Sequence, residues 1–400
     1  MKSVNSSSHL APKQTQLLLA TSIILPCTLL LLILDLLPFL NNEFSRGQVI
    51  GRDAFNFWIA GKLAIEGQVD VIYNHAAFMI AVKSMLGADA GLHVFPYPPP
   101  ALLFTAIFGW LPYWTTLLLW SVAGLLAFTL AATSWKTNHQ LALLAAFAPL
   151  SFCSIVLGQN GLFSAALFIG GLRLAHSRPI LAGVFIGCLA YKPTLAILLP
   201  LALLVEKRWM VIISSAITLS ILCVLPALIW GKSVWYDYLQ HAVPFQQQLL
   251  EQGTGLAQLM KLTSFMSVKI LGFDNNLAYQ IQSGFMLVSL ALVCSYGIRR
   301  NSKSQFDGQD ITLLAIATLL MLPYAHFYDM TLITGGLLLM CHDNKLSDQS
   351  LFIRSKIFSV IYVIPIVGVL MNLIGLPITP FILLCGLALL CYAPLSPQHR

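Results

Sequence analysis

The feature that most limits this chain is how far it runs without a charge. Residues 100–135 contain no Asp, Glu, Lys or Arg, and beyond Lys136 the stretch 137–172 contains none either. Residues 209–230 and 279–298 are each one apolar block, 179–205 holds only Lys192, and 311–341 only Asp329. A soluble domain carries roughly 25% charged residues; here 9% are charged and 58% are hydrophobic. Such a chain cannot coat itself for water, which excludes an ordinary soluble enzyme, a nucleic-acid-binding domain and a disordered polymer. The runs are continuous and do not alternate, which argues against a transmembrane β-barrel. The remaining class is an all-α polytopic membrane protein, a single integral membrane domain over 1–400.

The formal net charge of +7 is scattered singly or in pairs between apolar runs. It reads as loop charge that sets topology, with no nucleic-acid partner. The 8 cysteines lie within or at the ends of apolar runs and form no CxxC pair, so they read as small buried hydrophobes. The first apolar run, roughly 15–40, is too long for a signal-peptide core and is expected to be an uncleaved span.

Length arithmetic sets the number of crossings. About 20 residues at 1.5 Å rise cross a bilayer core. Residues 137–172 would reach about 54 Å as one helix, which is too long. A polar break at Gly158-Gln159-Asn160-Gly161 divides them. Residues 179–205 are divided likewise at Tyr191-Lys192-Pro193-Thr194, and 311–341 at Pro323-Tyr324-Ala325-His326. Each half is too short to cross alone, so the three breaks are expected below the membrane surface, where irregular backbone survives only inside protein or around a wet cavity. With a cytoplasmic N-terminus, the positive-inside rule puts Arg173, Arg178, Lys207, Arg208, Arg299 and Arg300 in the cytoplasm. The long polar segments, about 41–112 and 231–278, and all three breaks then face outward. Residues 98–110 become a short helix at or dipping into the outer face, 113–135 cross once, and the total is about twelve transmembrane helices.

The first external loop is the most informative. Phe55, Trp58, Ile59 and Leu63 recur at helical spacing, which predicts an amphipathic juxtamembrane helix along the membrane surface. Asp53, near its start, is either a plain N-cap or a carboxylate at the cavity mouth. A second interfacial helix is expected after Asn74. The run Phe95-Pro96-Tyr97-Pro98-Pro99-Pro100 forms a stiff entry into the next helix. Lys192, alone in an apolar run, either snorkels to the surface or meets an anion such as phosphate. His326 and Asp329, three apart, are expected on one helical face, as a structural pair or as part of a site. Gln159 and Asn160 are positioned to bond a sugar or each other. Asp35, inside the first span, is expected to face the bundle. No HExxH, GxxxxGK[ST] or GxSxG occurs, and no His/Cys cluster has metal spacing, so neither a metal site nor a cofactor is predicted.

These residues together resemble a known family. Asp53, Phe57-Trp58 and Ala60, then Gly67, Ile72-Tyr73 and Tyr97-Pro98-Pro99, look like the first external loop of glycosyltransferase family 87. Gly158-Gln159-Asn160 and Lys192-Pro193 are similar to two further landmarks. Phe57 stands where a Tyr is common, the second long loop matches weakly, and the likeness covers roughly 15–340.

The resemblance implies a GT-C-like membrane enzyme and a polyprenyl-phosphate sugar donor used on the outer face of the inner (plasma) membrane. It implies inversion without a metal, and transfer of a hexosyl (mannosyl-like) or pentosyl group to a glycolipid or cell-envelope glycan. The residue matching the family's base is Asp53. A carboxylate can take a hydroxyl's proton as the new bond forms, and the departing phosphate needs cations and donors nearby. Lys192 is the first candidate, with Arg52 and His326 behind it. Trp58, Tyr97, Gln159 and Asn160 complete the expected substrate contacts. The competing reading is a polytopic transporter or lipid flippase, which also uses broken helices. Against it, the three broken pairs are unevenly placed and the two long loops differ.

Overall fold

The computed structural model describes residues 49–133, 139–300, 305–342 and 351–392, with positions 18, 20–22, 24–26, 28, 29 and 33 ahead of them. The expected first span over 15–40 therefore falls largely outside the described residues, and Asp35 and both chain ends fall wholly outside. The described residues form helices joined by short turns; their one β feature is an isolated bridge between Lys261 and His326.

Three helices are long and apolar enough to cross a membrane singly: Tyr113–Ala132, Trp209–Trp230 and Asn275–Arg299. Trp209–Trp230 leaves Ile213, Ile217, Ile221, Val224 and Leu228 exposed, a surface that lipid accepts and water does not. Residues 100–109 form one short helix, Pro100–Gly109, and Tyr113–Ala132 follows as a separate element. The expected twelve crossings are not resolved by helix length; three helices, or four spans if one bent pair counts as one, meet the test.

The three expected breaks are present. Residues 157–160 separate Pro149–Val156 from Gly161–Leu174. Lys192, held out of helical geometry ahead of Pro193, separates two 3-10 turns that follow Pro179–Cys188. Residues 321–326 separate Gly308–Leu320 from the 3-10 turn Phe327–Met330 and Thr331–His342. A fourth break was not expected. His139–Ala146 and Pro149–Val156 are bent by 46°, because Ala148 precedes Pro149 and is driven out of helical geometry.

The helix Arg52–Ile65 does not lie along a surface with one face open. Phe55, Phe57, Ile59, Ala60, Leu63 and even Asn56 are buried. Glycine makes this possible. A Cβ on Gly61 would stand 2.1 Å from the Thr105 carbonyl oxygen, and one on Gly109 would stand 2.5 Å from the Gly61 carbonyl carbon. The helices Arg52–Ile65 and Pro100–Gly109 therefore touch backbone to backbone. Gly183 and Gly187 bring Pro179–Cys188 against Ser214 and Thr218 of Trp209–Trp230 in the same manner. At the centre, every residue of Gly308–Leu320 is buried.

Opposite the breaks, the basic pairs gather. Arg300 is buried between Glu206 and Asp310, with both of its bonds to Asp310 at 2.9 Å. Arg173 donates to the carbonyls of Ala131 and Thr133, and Arg208 meets His176 at 3.1 Å.

Candidate active site

The start of Arg52–Ile65 docks onto the first break. The Gly51 and Asp53 amides donate to the Val156 and Leu157 carbonyls, each at 3.1 Å. Gly158, at φ +67, permits this approach, since a Cβ there would meet the Ala54 amide nitrogen at 2.7 Å. The N-cap position belongs to Gly51, which makes no side-chain cap bond. Asp53 sits in the first helical turn, so the plain-cap alternative is set aside.

Its carboxylate instead accepts a hydrogen bond from the Gln159 side-chain amide. Burial raises the Asp53 carboxyl to about 6, opposed by the charges of Arg52 and Lys192 and by the Gln159 bond. The neighbouring Asn160 amide donates to the Tyr97 hydroxyl at 2.7 Å. Gln159 and Asn160 thus reach apart, one to each wall, and do not bond each other. Their side-chain carbonyl oxygens are buried and accept no hydrogen bond.

Lys192 does not snorkel. Its ammonium lies 2.5 Å from Asp329 and 5.1 Å from the centre of the Tyr328 ring. Asp329 is buried at the third break, and its second oxygen accepts the His326 amide at 3.1 Å. His326 and Asp329, expected on one helical face, are instead paired across the start of a 3-10 turn: Asp329 accepts the His326 amide, while the His326 ring stacks on Tyr328 at 5.1 Å. Tyr97, Tyr191 and Tyr328 stand beside the residues of the breaks. Tyr97 lies 4.7 Å from Phe57 and 6.3 Å from Tyr191, and Tyr191 is tied to Ser164 at 2.5 Å. Burial and the Asp53 and Asp329 charges raise the Tyr97 phenol well above its ordinary value, so it stays neutral.

Two expected contacts stand apart. The Arg52 guanidinium is exposed and donates to the Leu92 carbonyl, so it acts on Asp53 by charge alone. The Trp58 indole donates to the Leu111 carbonyl at 2.8 Å and secures the turn between two helices. Tyr191, Tyr328, Ser164 and Asn56 were missed by sequence reasoning. Tyr191 had a signal in its place beside Lys192; the others had none. Asn56 holds His93 at 2.6 Å, and burial with the Arg52 charge lowers that imidazole to about 4, so it is neutral. Among the described residues, no three His, Cys, Asp or Glu side chains converge as a metal site.

Comparison with curated proteins and with solved structures finds no match. The model of glycosyltransferase family 87 matches residues 95–323, more than half of the 400-residue chain. The matched span begins after Asp53, so that residue enters the site through its geometry, by way of Gln159. Two of the breaks, with Tyr97 and Tyr191, fall inside the match, and on it the chain belongs to glycosyltransferase family 87.

Proposed function

We propose that this membrane glycosyltransferase moves a hexosyl (mannosyl-like) or pentosyl group from a polyprenyl-phosphate sugar to a glycolipid or cell-envelope glycan. In this reading the chain crosses the inner (plasma) membrane about twelve times, and the reaction occurs on the external face with inversion at the anomeric carbon. The observation that carries the reading is the meeting of a half-buried carboxylate, Asp53, with the broken-helix turns that hold Gln159, Lys192 and Asp329.

Asp53 is the general base. An acceptor hydroxyl attacks the anomeric carbon and passes its proton to the carboxylate oxygen, while the bond from that carbon to the phosphate oxygen breaks. Polyprenyl phosphate leaves with the electron pair. Lys192 meets the developing charge, with His326 assisting at the third break. The buried carbonyl oxygens of Gln159 and Asn160 accept sugar hydroxyls, and Tyr97 lines the sugar's path. A family of glycosyltransferases leaves the transporter reading without a supporting observation.

The test is incubation of the purified protein with several radiolabelled polyprenyl-phosphate sugars and a native lipid extract, with Asp53→Asn alongside. Transfer by the wild type and its loss in the variant are expected. Equal transfer by both would remove Asp53 from the reaction, and no transfer from any lipid-phosphate sugar would remove the donor class.

A further inference from the structure

Lys192 has its anion already, because Asp329 compensates it within the fold. A second lysine, at the third break, does not. Lys261, in the second long polar segment, is 6% exposed, and its ammonium donates to a neutral group, the Gln258 carbonyl oxygen, at 2.5 Å. Among the described residues, the ion pairs join other groups: Lys192 with Asp329, Arg208 with Glu206, and Arg300 with Glu206 and Asp310. A buried, uncompensated ammonium is costly unless something anionic comes to it.

The place is firmly built. Lys261 bridges His326 in antiparallel fashion, and the Phe327 amide donates to the Met260 carbonyl at 3.0 Å. Thr263 donates to the Pro323 carbonyl at 2.9 Å, and Asn372 holds the Leu259 carbonyl at 2.8 Å. Gln258 is itself anchored, donating to the Leu249 carbonyl at 2.7 Å. The segment is thus fastened across the third break. Lys261 is bridged to His326, whose ring stacks on Tyr328, and Tyr328 in turn carries the Lys192 ammonium.

We propose that Lys261 binds the phosphate of the lipid-linked donor, so that the second long segment serves the donor. This rests on the reading above that the donor is a polyprenyl-phosphate sugar. Lys192 shares its charge with Asp329, and Lys261 adds beside it the unmatched positive charge that a phosphodiester requires.

The experiment measures binding of polyprenyl monophosphate, uncharged polyprenol and inorganic phosphate to the full chain in lipid nanodiscs, for wild type, Lys261→Met and Lys261→Arg. Lys261→Met is expected to weaken polyprenyl-phosphate binding about tenfold or more, to leave polyprenol binding unchanged, and to raise KM for the donor more than it lowers kcat. Lys261→Arg is expected to recover most of the affinity. Without ligand, Lys261→Met is expected to melt no lower than wild type, since an uncompensated buried charge has been removed. A lower melting temperature with unchanged lipid-phosphate affinity would make Lys261 structural and overturn the proposal. Loss of inorganic phosphate binding alone would mark a free-phosphate site and overturn it too. If wild type fails to bind polyprenyl phosphate at all, the donor class itself is wrong.

Discussion

At the scale of single residues, the site is a set of groups whose chemistry depends on a named neighbour. In the proposed mechanism Asp53 is the base, and with its carboxyl raised it must first be ionised to accept a proton. Turnover is therefore expected to be flat above about pH 6 and to fall about tenfold per unit below it. A pH–rate profile checks this, and the acid limb should be missing from the residual activity of Asp53→Asn. That substitution should itself cost about 10² or more in kcat with donor affinity nearly intact, read by steady-state kinetics beside a binding assay. Asp329 is matched to Lys192 in a buried pair, so Asp329→Asn strands an ammonium. A loss of about 3–5 kcal/mol is expected, seen as a lower denaturation midpoint, and it should exceed the loss from replacing both partners together.

At the scale of elements, glycine and proline decide how the helices meet. Gly61→Leu would force a side chain into the Thr105 backbone, and the helices Arg52–Ile65 and Pro100–Gly109 would have to separate. A destabilisation of about 1–3 kcal/mol is expected, with a drop in activity because Asp53 rides on the displaced helix; thermal unfolding and turnover measured together check it. Most elements were legible because their signals are local. Charge-free length marks the helices, and a polar group beside glycine or proline marks each break. The bend at Ala148-Pro149 has the proline but no polar neighbour, since Ala148 and Leu150 flank it, so nothing sets it apart inside an apolar run. What sequence could not supply was partnership. The separations that matter, Asp53 to Gln159 and Lys192 to Asp329, span 106 and 137 residues, and no periodicity reports on them. Trp58 shows the converse: its helical spacing was legible, but its bond to the Leu111 carbonyl makes it a structural tie.

At the scale of the whole molecule, the chain is polarised end to end. One end gathers the three breaks around Asp53; the other gathers Arg173, Arg208 and the Arg300 cluster. In the proposed topology these ends lie across the membrane from each other. Asp89→Cys and Lys207→Cys, each at an exposed position in a chain freed of its 8 native cysteines, are expected to react with a membrane-impermeant maleimide from opposite sides; labelling from the same side would refute the arrangement. The far-flung origin of the site also has a consequence for biosynthesis. A nascent chain inserted from its N-terminus exposes Asp53 early, finds Gln159 later, and leaves Lys192 without its counter-ion until Asp329 has emerged. On the proposed mechanism the Lys192–Asp329 pair is completed last, so a chain arrested before the third break is expected to transfer no sugar.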